Sequence, residues 1–334
     1  MSLFYLCLLA FIFISCETND SDTSLYLSKE EVRYFEVEVD YFGMKLNDWG
    51  VLMLPAGYNL NASNTDLVLY CHSGGGSVSK NSSECERMEY NKYLVSQGFA
   101  VLSMASMPVD YARYLMIDQF RTVGSEISLL CSIVGYNYVM DNYSFSGRVF
   151  LLSNSNGGLL ASNLVHFSDI PFKAQCGIAP LLSIELNAWF IQSGAMSGGR
   201  FNRYQNRDNI ISLYGMSSVS NLEDLSSKYY EKEKVGEYDP FDYYMSNANI
   251  DYPCPYLIFS CVDDKVVLYK IAREFSDEMQ RRSCNVQIDT TTSYGAHNVC
   301  ANPIISGKFK YKDQSFDLNE VFIKICNYFT CFRD

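Results

Sequence analysis

The stretch Gly147-Arg148-Val149-Phe150-Leu151-Leu152-Ser153-Asn154-Ser155-Asn156-Gly157-Gly158 decides the fold. Its apolar residues are consecutive rather than alternate, as expected of a strand buried on both faces of a parallel sheet. The small polar residues that follow have a turn composition, and residues 156–165 then read as a helix. By itself a serine in such a Gly/Ser/Asn-rich loop signals only the turn. A buried strand feeding a helix is the repeating unit of an α/β sheet.

The unit recurs on both sides. Upstream, residues 66–71 (DLVLYC) and 99–104 are short buried runs, joined by a helix that has capping-box spacing at Ser83 and Glu86 and runs to Gly98. Ile117, Phe120, Val123, Ile127, Leu130 and Val134 recur every three or four residues and predict one apolar helical face. Downstream, residues 172–179, 256–261 and 286–290 read as strands, and Asp317 and Glu320 as the start of a closing helix with Val321, Phe322, Ile325 and Phe329 inward. At the front, Phe35, Val37, Val39 and Tyr41 alternate with acidic residues, a strand with one wet face. A turn at residues 45–48 and a second run at 51–54 would follow. The order predicts an α/β fold with a mostly parallel, twisted, doubly wound sheet and helices on both faces. Residues 183–249, rich in Tyr, Asn and Ser, break the alternation and read as a lid insertion over the sheet's carboxyl edge. Trp189, Phe190, Tyr229, Tyr230, Tyr243 and Tyr244 would either line a pocket there or pack the lid.

The chain has 334 residues, 48% hydrophobic and 19% charged, with Gly 20 and Pro 8, which excludes collagenous and low-complexity classes. A formal net charge of -12 repels phosphate backbones, so nucleic acid is not an expected partner. Residues 3–15 (LFYLCLLAFIFIS) form an uncharged apolar run shorter than the ~20 residues a spanning helix needs, and read as a signal-peptide core. The run ends in Phe13-Ile14-Ser15-Cys16, which resembles the lipobox of bacterial lipoproteins. That resemblance implies cleavage after residue 15, acylation of Cys16, a tether over residues 16–30 and a folded domain over 31–334. A cleaved signal without lipid is the alternative. The lipoprotein reading places the protein in a bacterial cell envelope, held to membrane through Cys16. Cys71, Cys176 and Cys261 sit in apolar runs and read as small buried hydrophobes. Cys284, Cys300, Cys326 and Cys331 are the candidates for oxidation in an exported protein.

Ser153-Asn154-Ser155-Asn156-Gly157, between a strand and a helix, resembles the nucleophile elbow of the α/β-hydrolase superfamily, with Ser153 in place of its first glycine. Small flanking residues are needed there because strand and helix pack tightly and strain the nucleophile's backbone. His72-Ser73-Gly74-Gly75-Gly76, directly after the strand at 66–71, resembles the superfamily's oxyanion loop, with Ser73 replacing a glycine. The resemblance makes Gly74, Gly75 and the backbone N–H of Asn156 the oxyanion donors, and gives His72 the task of bracing the loop. The strand at 256–261 runs into Val262-Asp263-Asp264-Lys265-Val266-Val267, similar to the superfamily's acid loop. Asp264 fits the acid slot, with Asp263 as the fallback. Gly295-Ala296-His297-Asn298 follows one helix and one strand later, where the superfamily carries its base. Of the three histidines, His166 ends the post-elbow helix and reads as a packing residue, which leaves His297.

The resemblance implies a Ser155-His297-Asp264 triad working through an acyl-enzyme. The expected activity is cleavage of small-molecule or carbohydrate acyl esters. A serine peptidase of the prolyl-oligopeptidase type is the enzyme alternative, and a non-catalytic binding protein on a degenerate hydrolase scaffold is the alternative from another class. No zinc-protease, paired Cys/His or phosphate-loop motif is present, so no metal and no cofactor are expected.

Overall fold

Two left-handed residues, Phe42 (φ 51°) and Gly43 (φ 78°), reverse the chain between β1 (Glu31–Tyr41) and β2 (Met44–Leu54). A two-residue turn with both φ angles positive matches the twist of an antiparallel hairpin, and the register closes at Tyr41 opposite Met44. The turn expected at residues 45–48 is therefore strand. Lys45 and Asn47 face solvent there, while Leu46 and Asp48 face inward, so the polar run is one wet edge of a period-two pattern. The structure is a computed structural model that describes residues 26–61, 64–74, 76–117, 124–183, 239–264, 266–290, 297 and 304–333. The expected signal segment, Cys16 and most of the tether lie outside these residues, as does the insertion apart from its two ends.

The remaining strands of the main sheet are β3 (Leu67–Cys71), β6 (Ala100–Met104), β7 (Val149–Asn154), β8 (Phe172–Ile178), β9 (Tyr256–Ser260) and β10 (Val286–Thr290). Two short strands, β4 (Val78–Ser79) and β5 (Ser82–Ser83), pair with each other. The main sheet has eight strands in the order β1-β2-β6-β3-β7-β8-β9-β10. The β1/β2 and β2/β6 pairs are antiparallel and every later pair is parallel. From β3 the chain moves to one side for β6 and then to the other for β7. Carboxyl ends that part in this way leave a crevice, the usual place for a site in an open α/β sheet.

Both faces of the sheet are covered. Leu67, Leu69 and Cys71 of β3 join one core with Val149 and Leu151 of β7, while Val68, Tyr70, Phe150 and Leu152 join the other. The helices are α1 (Glu84–Arg87), α2 (Glu89–Ser96), α3 (Val109–Leu115), α4 (Glu126–Asn142), α5 (Gly157–Phe167), α6 (Pro240–Ser246), α7 (Tyr269–Arg281) and α8 (Glu320–Thr330). Ser83 caps α1 through Glu86 as its spacing predicts, but Met88 adopts extended angles and splits the expected single helix in two. Of the apolar face expected from Ile117 onward, Ile127, Leu130 and Val134 lie on α4, which Gly124 (φ 68°) precedes by two residues, while Ile117 lies outside any helix and Phe120 and Val123 lie outside the described residues. Asn319, not Asp317, caps the closing helix, since Asp317 lies in β12 (Gln314–Asn319), which pairs with β11 (Ile304–Tyr311). The expected inward face of α8 is buried at all four positions. All cysteines among the described residues are unpaired, with Cys71, Cys176 and Cys261 buried.

Asp48 is fully enclosed and accepts from the backbone N–H of Ser106 at 2.9 Å. Burial pushes its carboxyl up to about 7, against the pull of the backbone donors of Ser106 and Met107. The folded state thus holds a proton that the unfolded chain releases near pH 4. Stability contributed by that proton is complete below about pH 4 and is lost as pH rises through about 7. Asp48→Asn is therefore expected to raise the melting temperature at pH 8 and to leave it nearly unchanged at pH 4. Melting curves at the two pH values check this, and equal shifts at both would contradict it.

Candidate active site

Ser155 sits where β7 ends and α5 begins, at φ 51°, a left-handed angle that a side-chain-bearing residue adopts only when its surroundings impose it. Its backbone is held at both ends. Its N–H donates to Ile178 O at 2.9 Å, and its carbonyl accepts from Gly158 N at 2.9 Å and Leu181 N at 2.8 Å. The flanking glycines permit this. A Cβ on Gly157 would overlap the carbonyl oxygens of Cys71 and His72, and one on Gly158 would lie 2.6 Å from the Pro180 side chain. Ser153, at the position of the superfamily's first glycine, is fully buried with its hydroxyl 3.5 Å from Cys176 O. Gly157→Ala is expected to destabilise the fold by about 3 kcal/mol, the range of an overpacked core, because the atoms it meets are backbone. Urea unfolding checks this, and a midpoint equal to wild type would contradict it.

Three side chains far apart in sequence meet at the sheet's carboxyl edge. Ser155 Oγ lies 3.1 Å from His297 Nε2, and His297 Nδ1 lies 2.9 Å from Asp264 Oδ2. The second Asp264 oxygen accepts from Val266 N at 2.7 Å and Val267 N at 3.0 Å, so the loop after β9 fixes the carboxylate's direction. Asp264 is buried, whereas Asp263 is exposed and makes no such contact among the described residues. With Asp264 accepting at Nδ1, a neutral His297 carries its proton there and presents a lone pair at Nε2 to the serine hydroxyl. The sequence neighbours of His297 lie outside the described residues.

The loop after β3 faces this trio. Ser73 O accepts from Gly76 N at 2.9 Å, which closes a turn that contains Gly74. Gly75 lies outside the described residues. A Cβ on Gly74 would sit 3.2 Å from Asn156 Cβ, so the two candidate donor residues are neighbours. Among the described residues, neither the Gly74 nor the Asn156 backbone N–H donates to a protein group. His72 bridges the loop to the end of β6, with Nδ1 2.8 Å from Ser73 O and Nε2 3.0 Å from Ala105 O.

A cavity of about 450 Å³ opens onto Ser155 and His297, and its wall includes Asn154, Arg87, Glu89 and Phe322. Neither Arg87 nor Glu89 forms a salt bridge with a described residue. Sequence reasoning missed both, because they project from the break between α1 and α2 that the capping pattern did not reveal. The aromatic residues noted in the sequence contribute differently. Tyr244 is buried against Tyr252 and Phe275, and Tyr243 packs at a tilt against His166, so these pack the molecule. His166 is half-buried, and burial lowers its pKa below the usual imidazole value. Trp189, Phe190, Tyr229 and Tyr230 lie outside the described residues. No group of three or more metal-ligating side chains occurs among the described residues.

No family model and no curated protein matches the sequence. Solved structures do match. The chain is similar to an acylaminoacyl peptidase of Pyrococcus horikoshii, with 14% identity and a TM-score of 0.55 over 81% of this chain and 38% of that one. A putative dipeptidyl aminopeptidase IV of Bacteroides ovatus aligns with 13% identity and a TM-score of 0.57 over 93% of this chain and 36% of that one. A puromycin-hydrolyzing peptidase of Mycobacterium tuberculosis aligns with 16% identity and a TM-score of 0.54 over 78% and 35% of the two chains. The fold is that of the α/β-hydrolases. The chain spans less than half the length of each of these proteins.

Proposed function

We propose that the protein is a serine hydrolase that attacks an acyl carbonyl with Ser155. The observation that carries this reading is the continuous Ser155–His297–Asp264 hydrogen-bonded chain at the mouth of a cavity. His297 takes the hydroxyl proton as Ser155 Oγ bonds to the carbonyl carbon, and Asp264 stabilises the imidazolium that results. The oxyanion is met by Gly74 and Asn156 N–H, each contributing ~3 kcal/mol to the transition state. His297 then returns the proton to the leaving group, and water releases the acyl group by the same steps reversed.

Peptide bonds are the favoured substrate class. The neighbours in fold carry peptidase names, and the cavity presents both a cation, Arg87, and an anion, Glu89, beside the nucleophile. Charged ends of a short peptide suit such walls better than an apolar acyl chain does. The second reading is acyl-ester hydrolysis, including carbohydrate esters, which needs only the triad and the donors. A panel of dipeptide-amide and acyl-ester chromogens separates them, with kcat/KM expected to be higher for at least one amide than for short acyl esters. Ester turnover with no detectable amide turnover would reverse the choice. We also propose that Cys16 carries lipid and holds the enzyme to a bacterial envelope membrane. Metabolic labelling with a fatty-acid analogue is expected to mark wild type and not Cys16→Ala, and an unlabelled wild type would reject the anchor.

A further inference from the structure

We propose that Glu84 is a positioning residue that fixes the oxyanion loop through Ser73, an inference that rests on the serine-hydrolase reading. Glu84 is the first residue of α1, 4% exposed. Its Oε1 accepts from Ser73 N at 3.0 Å and from Tyr70 hydroxyl at 2.7 Å, and its Oε2 accepts from Ser73 Oγ at 2.8 Å. The Tyr70 hydroxyl is 2.6 Å from that of Tyr90, so the donors belong to a connected buried network. No cation pairs with Glu84 among the described residues. A buried carboxylate without a counter-ion costs several kcal/mol unless donors surround it, and here two of its three donors among the described residues belong to one residue.

That residue opens the turn closed by Gly76 N on Ser73 O, which contains Gly74. Gly76, at the far end of the turn, packs so closely on Glu84 Oε2 that a Cβ there would overlap it. One carboxylate thus grips the turn at its start and seats it at its end. Two consequences follow. The Ser73 N–H is consumed by Glu84 and is not an oxyanion donor, which assigns that role to the next residues along the loop. The serine that replaces the superfamily's glycine also acquires a purpose, since its hydroxyl supplies the second handle. A carboxylate aimed at the loop from behind fixes the donors' direction before substrate arrives, and preorganisation of this kind is what gives oxyanion donors their effect.

The test measures kcat and KM on an activated ester or amide for wild type, Glu84→Ala, Glu84→Gln and Ser73→Gly. Fluorophosphonate labelling and thermal melts accompany the kinetics. Glu84→Ala is expected to lose about 10²-fold in kcat, the effect of one misplaced oxyanion donor, with KM changed less than about 3-fold. Glu84→Gln keeps an acceptor for Ser73 N and is expected to recover most of that loss. Ser73→Gly retains only the N–H handle and should fall between wild type and Glu84→Ala. A folded Glu84→Ala with wild-type kcat would overturn the inference. If Glu84→Ala does not fold, a Ser73→Gly enzyme with wild-type kcat overturns it instead. Wild type that neither labels nor turns over removes the hydrolase reading and this inference together, whereas an active wild type isolates Glu84.

Discussion

Ser155→Ala is expected to lower kcat by ~10⁶-fold, the scale seen when the nucleophile of a serine triad is removed, with little change in stability. The hydroxyl's one side-chain partner among the described residues is His297, at 3.1 Å, and the backbone of the elbow is held by Ile178, Gly158 and Leu181 instead. Removing Oγ therefore deletes the chemistry without loosening the turn. The left-handed angle at residue 155 persists in the variant because the backbone bonds that impose it do not involve the side chain. Steady-state kinetics with a chromogenic substrate, paired with a melting curve, check both halves. Residual turnover within tenfold of wild type would show that another group attacks the substrate.

Asp264→Asn is expected to lower kcat by ~10⁴-fold, because the amide can donate to Nδ1 and so favours the wrong imidazole tautomer. Asp264 Oδ2 now accepts from His297 Nδ1, and Oδ1 accepts from two backbone N–H groups. In the asparagine variant the carbonyl oxygen keeps the backbone donors and the amide nitrogen faces the histidine. The Nε2 lone pair then becomes an N–H pointing at Ser155, and no base remains. Asp263→Asn is the matched control, since Asp263 is exposed and is expected to leave kcat within about 2-fold of wild type. If the control is the damaging change, Asp264 does not serve as the acid.

Much of this site was legible in the sequence because the fold's demands are steric and local. The elbow needs a buried strand, small neighbours and a following helix, and residues 147–158 display all three in one line. Asp264 and His297 were legible as candidates for acid and base through their places after β9 and β10, since loops at strand carboxyl ends are where the sheet gathers function. The hairpin turn at Phe42-Gly43 was not, because phenylalanine rarely takes a left-handed angle and the polar residues beyond it resemble a loop. Glu84 was invisible for a different reason. Its place beside Ser73 depends on a short helix ending at Arg87, and no local pattern separates a carboxylate turned inward from one facing water. Asp48 was hidden likewise, inside a run whose polar neighbours Lys45 and Asn47 point outward. Side-chain direction at an element end such as Glu84 is a tertiary property that periodicity does not reveal, whereas at Asp48 the period-two pattern was masked by the polar residues around it.

Catalysis of the proposed kind requires the Ser155 oxygen to be nucleophilic because His297 can take its proton. The most direct measurement is intact-mass and peptide-mapping mass spectrometry of the protein after reaction with a fluorophosphonate. The expected result is a single adduct on Ser155 in wild type, absent from Ser155→Ala and formed far more slowly in His297→Ala. An adduct on a different residue, or one that forms on Ser155 equally fast without the His297 imidazole, would contradict the account.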